Sequence, residues 1–179
     1  MTEYHAPSDS VQVHAGSIPV PQSAAEVTSE NVHLLVPQRK LETEKIELLH
    51  NVDVQIWTPI ISDLLEWTQD PNWPTAGTTM DLLTSTSAAI EAAIPHVANI
   101  LADTSEKRDD EWRDVMLRCF VFRLPKEYQM KMYEDLQRFH EGITDESEAD
   151  YEWREDVAHL IRDIARWVAA DEGGWCEVR

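Results

Sequence analysis

Two short patterns in this sequence set an acid and a histidine one helical turn apart: Glu47-Leu48-Leu49-His50 and Asp156-Val157-Ala158-His159. Side chains at that spacing share a helix face, and bundles that hold two metal ions point such pairs into their core. On the last helix, however, the apolar stripe is Val157, Leu160, Ile161 and Ile164. At 100° per residue His159 falls nearly opposite that stripe, so a buried two-metal site is not expected. No metal and no other cofactor is assigned. None of the 7 His adjoins a Ser or Cys in a recognisable nucleophile motif. The only Gly pair, Gly173-Gly174, follows the final helix and cannot cradle a phosphate. Asp109 and Asp110 could do acid–base work, but a loop of solvated charges accounts for them better. The expected protein is not an enzyme.

What remains are residues suited to binding. Glu66, Trp67, Asp70, Asn72 and Trp73 crowd one turn, and Asp109, Asp110 and Glu111 close a charged loop just before Trp112. The turn residues admit two roles. Trp67 and Trp73 can pack across a hairpin while Asp70 or Asn72 ties down the turn's amides. Alternatively, the indoles and polar groups line a recognition pocket at the loop edge.

The elements that must position these groups are helical. Only 5 Gly occur in 179 residues, 42% of the chain is hydrophobic, and alternating β-branched runs are scarce. A first helix is expected from Leu41, with Ile46, Leu48, Leu49 and Val52 on its buried side. Thr58 and Pro59 offer an N-cap and first residue for a helix that places Trp57, Ile60, Ile61, Leu64 and Leu65 on one face. Pro71 and Pro74 force a tight connection, and Pro74 can open the next helix through Met80, Leu82 and Leu83. Ser85 or Ser87 then caps a helix carrying Ile90, Ile94, Val97 and Leu101, which Pro95 either kinks or restarts. The clearest amphipathic stripe is Trp112, Val115, Met116, Cys119 and Phe120. Tyr128, Met132, Leu136 and Phe139 form another stripe. An acidic loop over 141–156, with eight acids and only Arg154, precedes the last helix.

Residues 1–38 carry four prolines and one glycine among small polar residues and read as a flexible or disordered N-terminal tail, in which a Val32-His33-Leu34-Leu35-Val36 patch could dock on the domain as a strand-like arm. The helical domain is placed at 39–172 and a C-terminal tail at 173–179.

The segment Pro59-Ile60-Ile61-Ser62-Asp63-Leu64-Leu65 aligns with Pro95-His96-Val97-Ala98-Asn99-Ile100-Leu101, a shift of 36 residues. A period of this size built from helical hairpins is what stacked-helix arrays use. The expected fold is all-α, a short HEAT-like stack of antiparallel hairpins forming an α–α superhelix. The stretch Leu64-Leu65-Glu66-Trp67-Thr68-Gln69-Asp70-Pro71-Asn72-Trp73-Pro74-Thr75-Ala76 resembles the signature Leu-Leu-Glu-Trp-x-x-Asp-x-Asn-Trp-Pro-x-Ala of the domain of unknown function 5071 family. Leu35-Val36-Pro37, Ile94-Pro95-His96-Val97 and the acidic run into Trp112 agree with it. The resemblance spans roughly residues 34–168 and implies a small helical, HEAT-like protein, with no established chemistry. The long N-terminal segment and the acidic loop 141–156 depart from the family pattern.

Charge narrows the partners. With 34 acids against 15 bases the formal net charge is −19, which repels nucleic-acid phosphates and anionic lipids. Two distant cysteines make neither a disulfide framework nor a zinc site. There is no Lys or Arg before Arg39, hence no expected signal peptide, and no uncharged stretch long enough to span a bilayer. The expectation is a cytoplasmic, non-enzymatic interaction module, an adaptor or an inhibitor or immunity-type protein for a basic partner. The alternative is a small-molecule or metal-dependent enzyme with its site between helices.

Overall fold

A computed structural model describes residues 19–103, 109–142 and 148–173. Residues 1–18 and 174–179 of the expected tails, 104–108 of the charged loop and 143–147 of the acidic loop lie outside the described residues. Among those described, every regular element is helical.

Residues 19–37, which read as tail with a Val32–Val36 patch able to dock, enter the core, and the patch does so as a 3-10 turn and not as a strand-like arm. Short 3-10 turns at Ala24–Glu26 and Val32–Leu35 bring Val27, Val32 and Leu35 to buried positions. Asn31 makes this possible without a regular helix, since its side chain accepts from Thr28 N and donates to Glu26 O. Three apolar anchors at wide spacing escape a periodicity search, although each removes surface from water as effectively as a helical residue would.

α1 (Thr43–Leu49) begins two residues beyond Leu41, which is 69% exposed and takes no part in the core. α2 (Val54–Trp57) is capped by Asp53, whose carboxylate accepts from Gln55 N. Thr58 does not cap the next helix with its side chain. Its hydroxyl donates to Val54 O instead, and a 3-10 turn containing Pro59 leads into α3 (Ile61–Leu65). After a further 3-10 turn at Glu66–Thr68, Trp73 takes an extended conformation (φ −74°, ψ 133°), as the residue before a proline must. Pro74 then opens α4 (Pro74–Leu83), which packs on α1.

α5 (Ser87–Ala102) runs unbroken through Pro95, so the proline does not restart it. Its N-cap is Thr86, whose hydroxyl accepts from Ala89 N, and not either neighbouring serine. α6 (Asp110–Cys119) is capped by Asp109 accepting from Trp112 N. Asp110 and Glu111 therefore belong to its first turn, where negative charge complements the helix dipole, and Arg118 to its last. α7 (Lys126–Lys131) and α8 (Tyr133–Glu141) follow the break at Pro125. α9 (Glu148–Gly173) starts earlier than the sequence suggests, because part of the acidic run 141–156 is helical.

α5 is the central element, in contact with α3, α4, α6 and α8, while α9 covers α7 and α8. The two copies of the 36-residue repeat thus lie against each other, one in α3 and one in the second half of α5. One polar group sits deep in this packing. Arg113 is only 4% exposed; it donates to Leu101 O (3.0 Å) and Asp110 Oδ1 (3.1 Å), and its guanidinium lies 4.6 Å above the Phe139 ring. It clamps the end of α5 to α6 and α8, and its planar fork is what allows three partners at once.

Candidate functional site: an acidic cleft between α3, α5 and α6

An open cleft of about 450 Å³ lies between α3, α5 and the start of α6. α3 and the turn after it supply Ser62, Leu65 and Glu66. α5 supplies His96, Asn99, Ile100 and Ala102, and Asp103, Asp109 and Trp112 complete the lining.

Local chemistry fixes each wall. Trp112 donates its indole N–H to Thr68 Oγ1 at 2.9 Å, and that buried hydroxyl donates onward to Leu65 O at 2.6 Å. The indole is thereby pinned across 44 residues to the turn that carries Glu66. Asp109, by capping α6, holds its own carboxylate at the rim. Opposite, Ser62 Oγ and His96 Nδ1 lie 2.8 Å apart and join α3 to α5. Among the described residues, the formally charged side chains of the lining (Glu66, Asp103 and Asp109) are carboxylates.

The binding residues expected from sequence divide between this cleft and its surroundings. Glu66 and Asp109 line it. Asp110 and Glu111 sit in the first turn of α6, with Asp110 engaged by Arg113. Trp67 and Trp73 pack on each other with ring centroids 5.8 Å apart and planes tilted by 51°. Asp70 Oδ1 accepts from both the backbone and side-chain nitrogens of Asn72, closing an Asx turn. These four residues brace the hairpin beside the cleft and do not line it.

Several lining residues gave no sequence signal. Ser62 and His96 are 34 positions apart, and only the packing of α3 on α5 makes them neighbours. The repeat alignment carried a hint, since it predicts that the segments beginning at Pro59 and Pro95 stack side by side. Trp112 was visible only as a member of a core stripe, and it is half-buried. Arg113 sits beside it in sequence on what reads as a solvated face.

The two acid-x-x-His pairs do not converge. Glu47, His50, Asp156 and His159 are all exposed, on α1 and its end and on α9. Among the described residues no group of three or more His, Cys, Asp or Glu side chains gathers in a metal-holding arrangement.

The family model for a domain of unknown function (DUF5071) matches residues 35–165, well over half of the chain. The chain belongs to this family. No curated protein matches the sequence. The DUF5071 match bears on the cleft in one respect. The three internal segments that carry the resemblance (Leu64-Leu65-Glu66-Trp67, Ile94-Pro95-His96-Val97 and the acidic run into Trp112) each place side chains in this one lining. Among the described residues of the DUF5071 chain no helix is long and apolar enough to cross a membrane.

Proposed function

We propose that this domain is a non-enzymatic interaction module, an adaptor or inhibitor that captures a basic protein partner. In this reading the α3/α5/α6 cleft receives a lysine or arginine side chain of that partner. The observation that carries it is the described lining: three carboxylates arranged with a pinned indole. An aromatic face and carboxylates together suit a cation, the first through its quadrupole and the second through charge. The net charge of −19 extends the same preference over the molecule, speeding encounter with a cationic surface and discouraging nucleic acid and anionic lipid. Hairpins stacked in a HEAT-like manner would offer such a partner an extended face. The cytoplasm is the compartment we assign to this work.

The test is a pull-down from the native host at low and high salt, with the wild-type chain and with Glu66→Lys/Asn99→Lys. Both residues are exposed, so the fold should survive. The expected result is one stoichiometric basic protein, retained at low salt and lost both at high salt and in the charge-reversed variant. A partner that resists both would remove the cleft from the account.

An enzyme with its site between helices has one observation in its favour, the Ser62–His96 hydrogen bond inside a cleft. Acyl transfer needs donors aimed at a developing oxyanion, and this lining surrounds Ser62 with carboxylates that would oppose that charge. Stoichiometric labelling of Ser62 by a serine-directed phosphonate would reverse this judgement. Stoichiometric iron, manganese or zinc in the purified protein would do the same for a metal-dependent enzyme.

A further inference from the structure

A shallow concavity of about 160 Å³ lies between α4 and the end of α6, and it shares no lining residue with the α3/α5/α6 cleft. Ala76 and Met80 from α4 and Val115 from α6 are buried and make an apolar floor, which the half-buried Cys119 extends. Gly77 and Asp81 are exposed on the α4 wall. Arg123 is exposed on the opposite wall, in the 3-10 turn that follows α6.

Gly77 is the informative residue. A glycine within a helix costs stability relative to alanine, because it has more backbone freedom to lose. Nothing in this chain requires it. Its φ is not positive, and a Cβ built on it meets no atom within 4 Å. The free space above α4 is therefore open to a close approach from outside the chain. Charge indicates by what. Asp81 and Arg123 form no ion pair among the described residues, either with each other or with a neighbour. One acid and one base give this surface no preference for a strongly basic or a strongly acidic partner. A second copy, by contrast, presents the matching base and acid by symmetry.

We propose that two copies of the chain meet at this surface. A two-fold axis through the concavity sets Asp81 of each copy against the partner's Arg123, so one geometry makes two ion pairs. The apolar floor supplies burial, and Met80 is flexible enough to repack against its own copy. Gly77 lets the two α4 backbones come close at the axis. A contact this small makes a weak and transient dimer. Two chains of net charge −19 repel at long range, so the pairing tightens as salt screens that repulsion. Capture of a basic protein has the opposite salt dependence, so the two associations are told apart in one titration.

Sedimentation velocity of the full chain is followed from micromolar to millimolar concentration at low and high salt. A monomer–dimer equilibrium that strengthens with salt is expected. Asp81→Arg or Arg123→Asp should each weaken the dimer about tenfold or more, by setting like charges opposite each other. The double exchange, Asp81→Arg with Arg123→Asp, should restore it, which no merely structural role for either residue would do. Gly77→Gln should raise the urea midpoint of the monomer, since glutamine is the better helix former, and abolish the dimer by filling the approach. A chain monomeric at every concentration would overturn the proposal, as would a dimer indifferent to these variants or one lost at high salt. Shifts at Gly77 and Cys119 that follow an added basic peptide and not chain concentration would give the surface to another partner and equally overturn it.

Discussion

Trp112 is held at its nitrogen by Thr68, and Thr68 in turn is held by Leu65 O. Replacing Thr68 with Val should leave the indole N–H without an acceptor at a half-buried position, costing about 1–2 kcal/mol. In a urea double-mutant cycle, Thr68→Val and Trp112→Phe should couple by about 1 kcal/mol. Strict additivity would show that the bond does not stabilise the wall of the cleft. Arg113 is a stronger case because its charge is buried. Arg113→Lys keeps the charge but cannot reach Asp110 and Leu101 O together while stacking on Phe139, and a loss of about 2–3 kcal/mol is expected in the same unfolding assay. A cost under about 0.5 kcal/mol, typical of a surface change, would contradict the clamp. Glu42 offers a test without mutation. Its carboxyl is held below the ordinary glutamate range, first by the hydrogen bond from Lys45 and then by that from the Gln38 amide. A folded value below the unfolded one favours the folded state at pH above the unfolded value, and that contribution is lost as pH falls through the folded value. Carboxyl carbon shifts followed by NMR should therefore show Glu42 titrating below the ordinary glutamate range, and a value within that range would contradict the two hydrogen bonds.

At the scale of elements, caps decide where helices begin. Thr86→Ala should cost about 1 kcal/mol, whereas Ser87→Ala should stay within a few tenths, as measured by chemical denaturation. Equal costs for the two would deny Thr86 its role. This cap also shows where sequence reading stops. The sequence pointed to Ser85 or Ser87, but Thr86 between them carries an equivalent hydroxyl, and the choice depends on where α4 ends and how α5 must lie on it. Prolines were more legible. Pro74 opens α4 because a missing N–H and a fixed φ suit that position alone, and Trp112, Val115, Met116 and Phe120 marked α6 by their spacing. Within residues 19–37 the Val32–Val36 patch signalled docking, whereas Val27 did not, because a lone apolar residue among polar ones carries no period. Within the cleft, Glu66 and Asp109 stood out as loop-edge acids. Ser62, His96 and Asn99 did not, because a polar residue on an amphipathic helix looks the same whether it meets solvent or a neighbouring helix.

At the scale of the whole molecule, the DUF5071 chain carries a formal net charge of −19. Such a charge distribution steers encounters before any contact forms, and its effect fades once the Debye length shrinks to a few ångströms, near 1 M salt. The account therefore expects association with a basic partner to slow steeply with added salt while dissociation changes less. A rate indifferent to salt would mean that the charge serves solubility alone.

The central claim is that the cleft between α3, α5 and α6 takes a cationic side chain. Its most direct test is a titration of the full-length chain with an arginine-rich peptide, followed at the Trp112 indole N–H and the His96 imidazole. The account predicts saturable shifts at both groups, weakened about tenfold or more by Glu66→Gln together with Asn99→Lys. Shifts spread evenly over the acidic surface, with Trp112 and His96 unmoved, would contradict it.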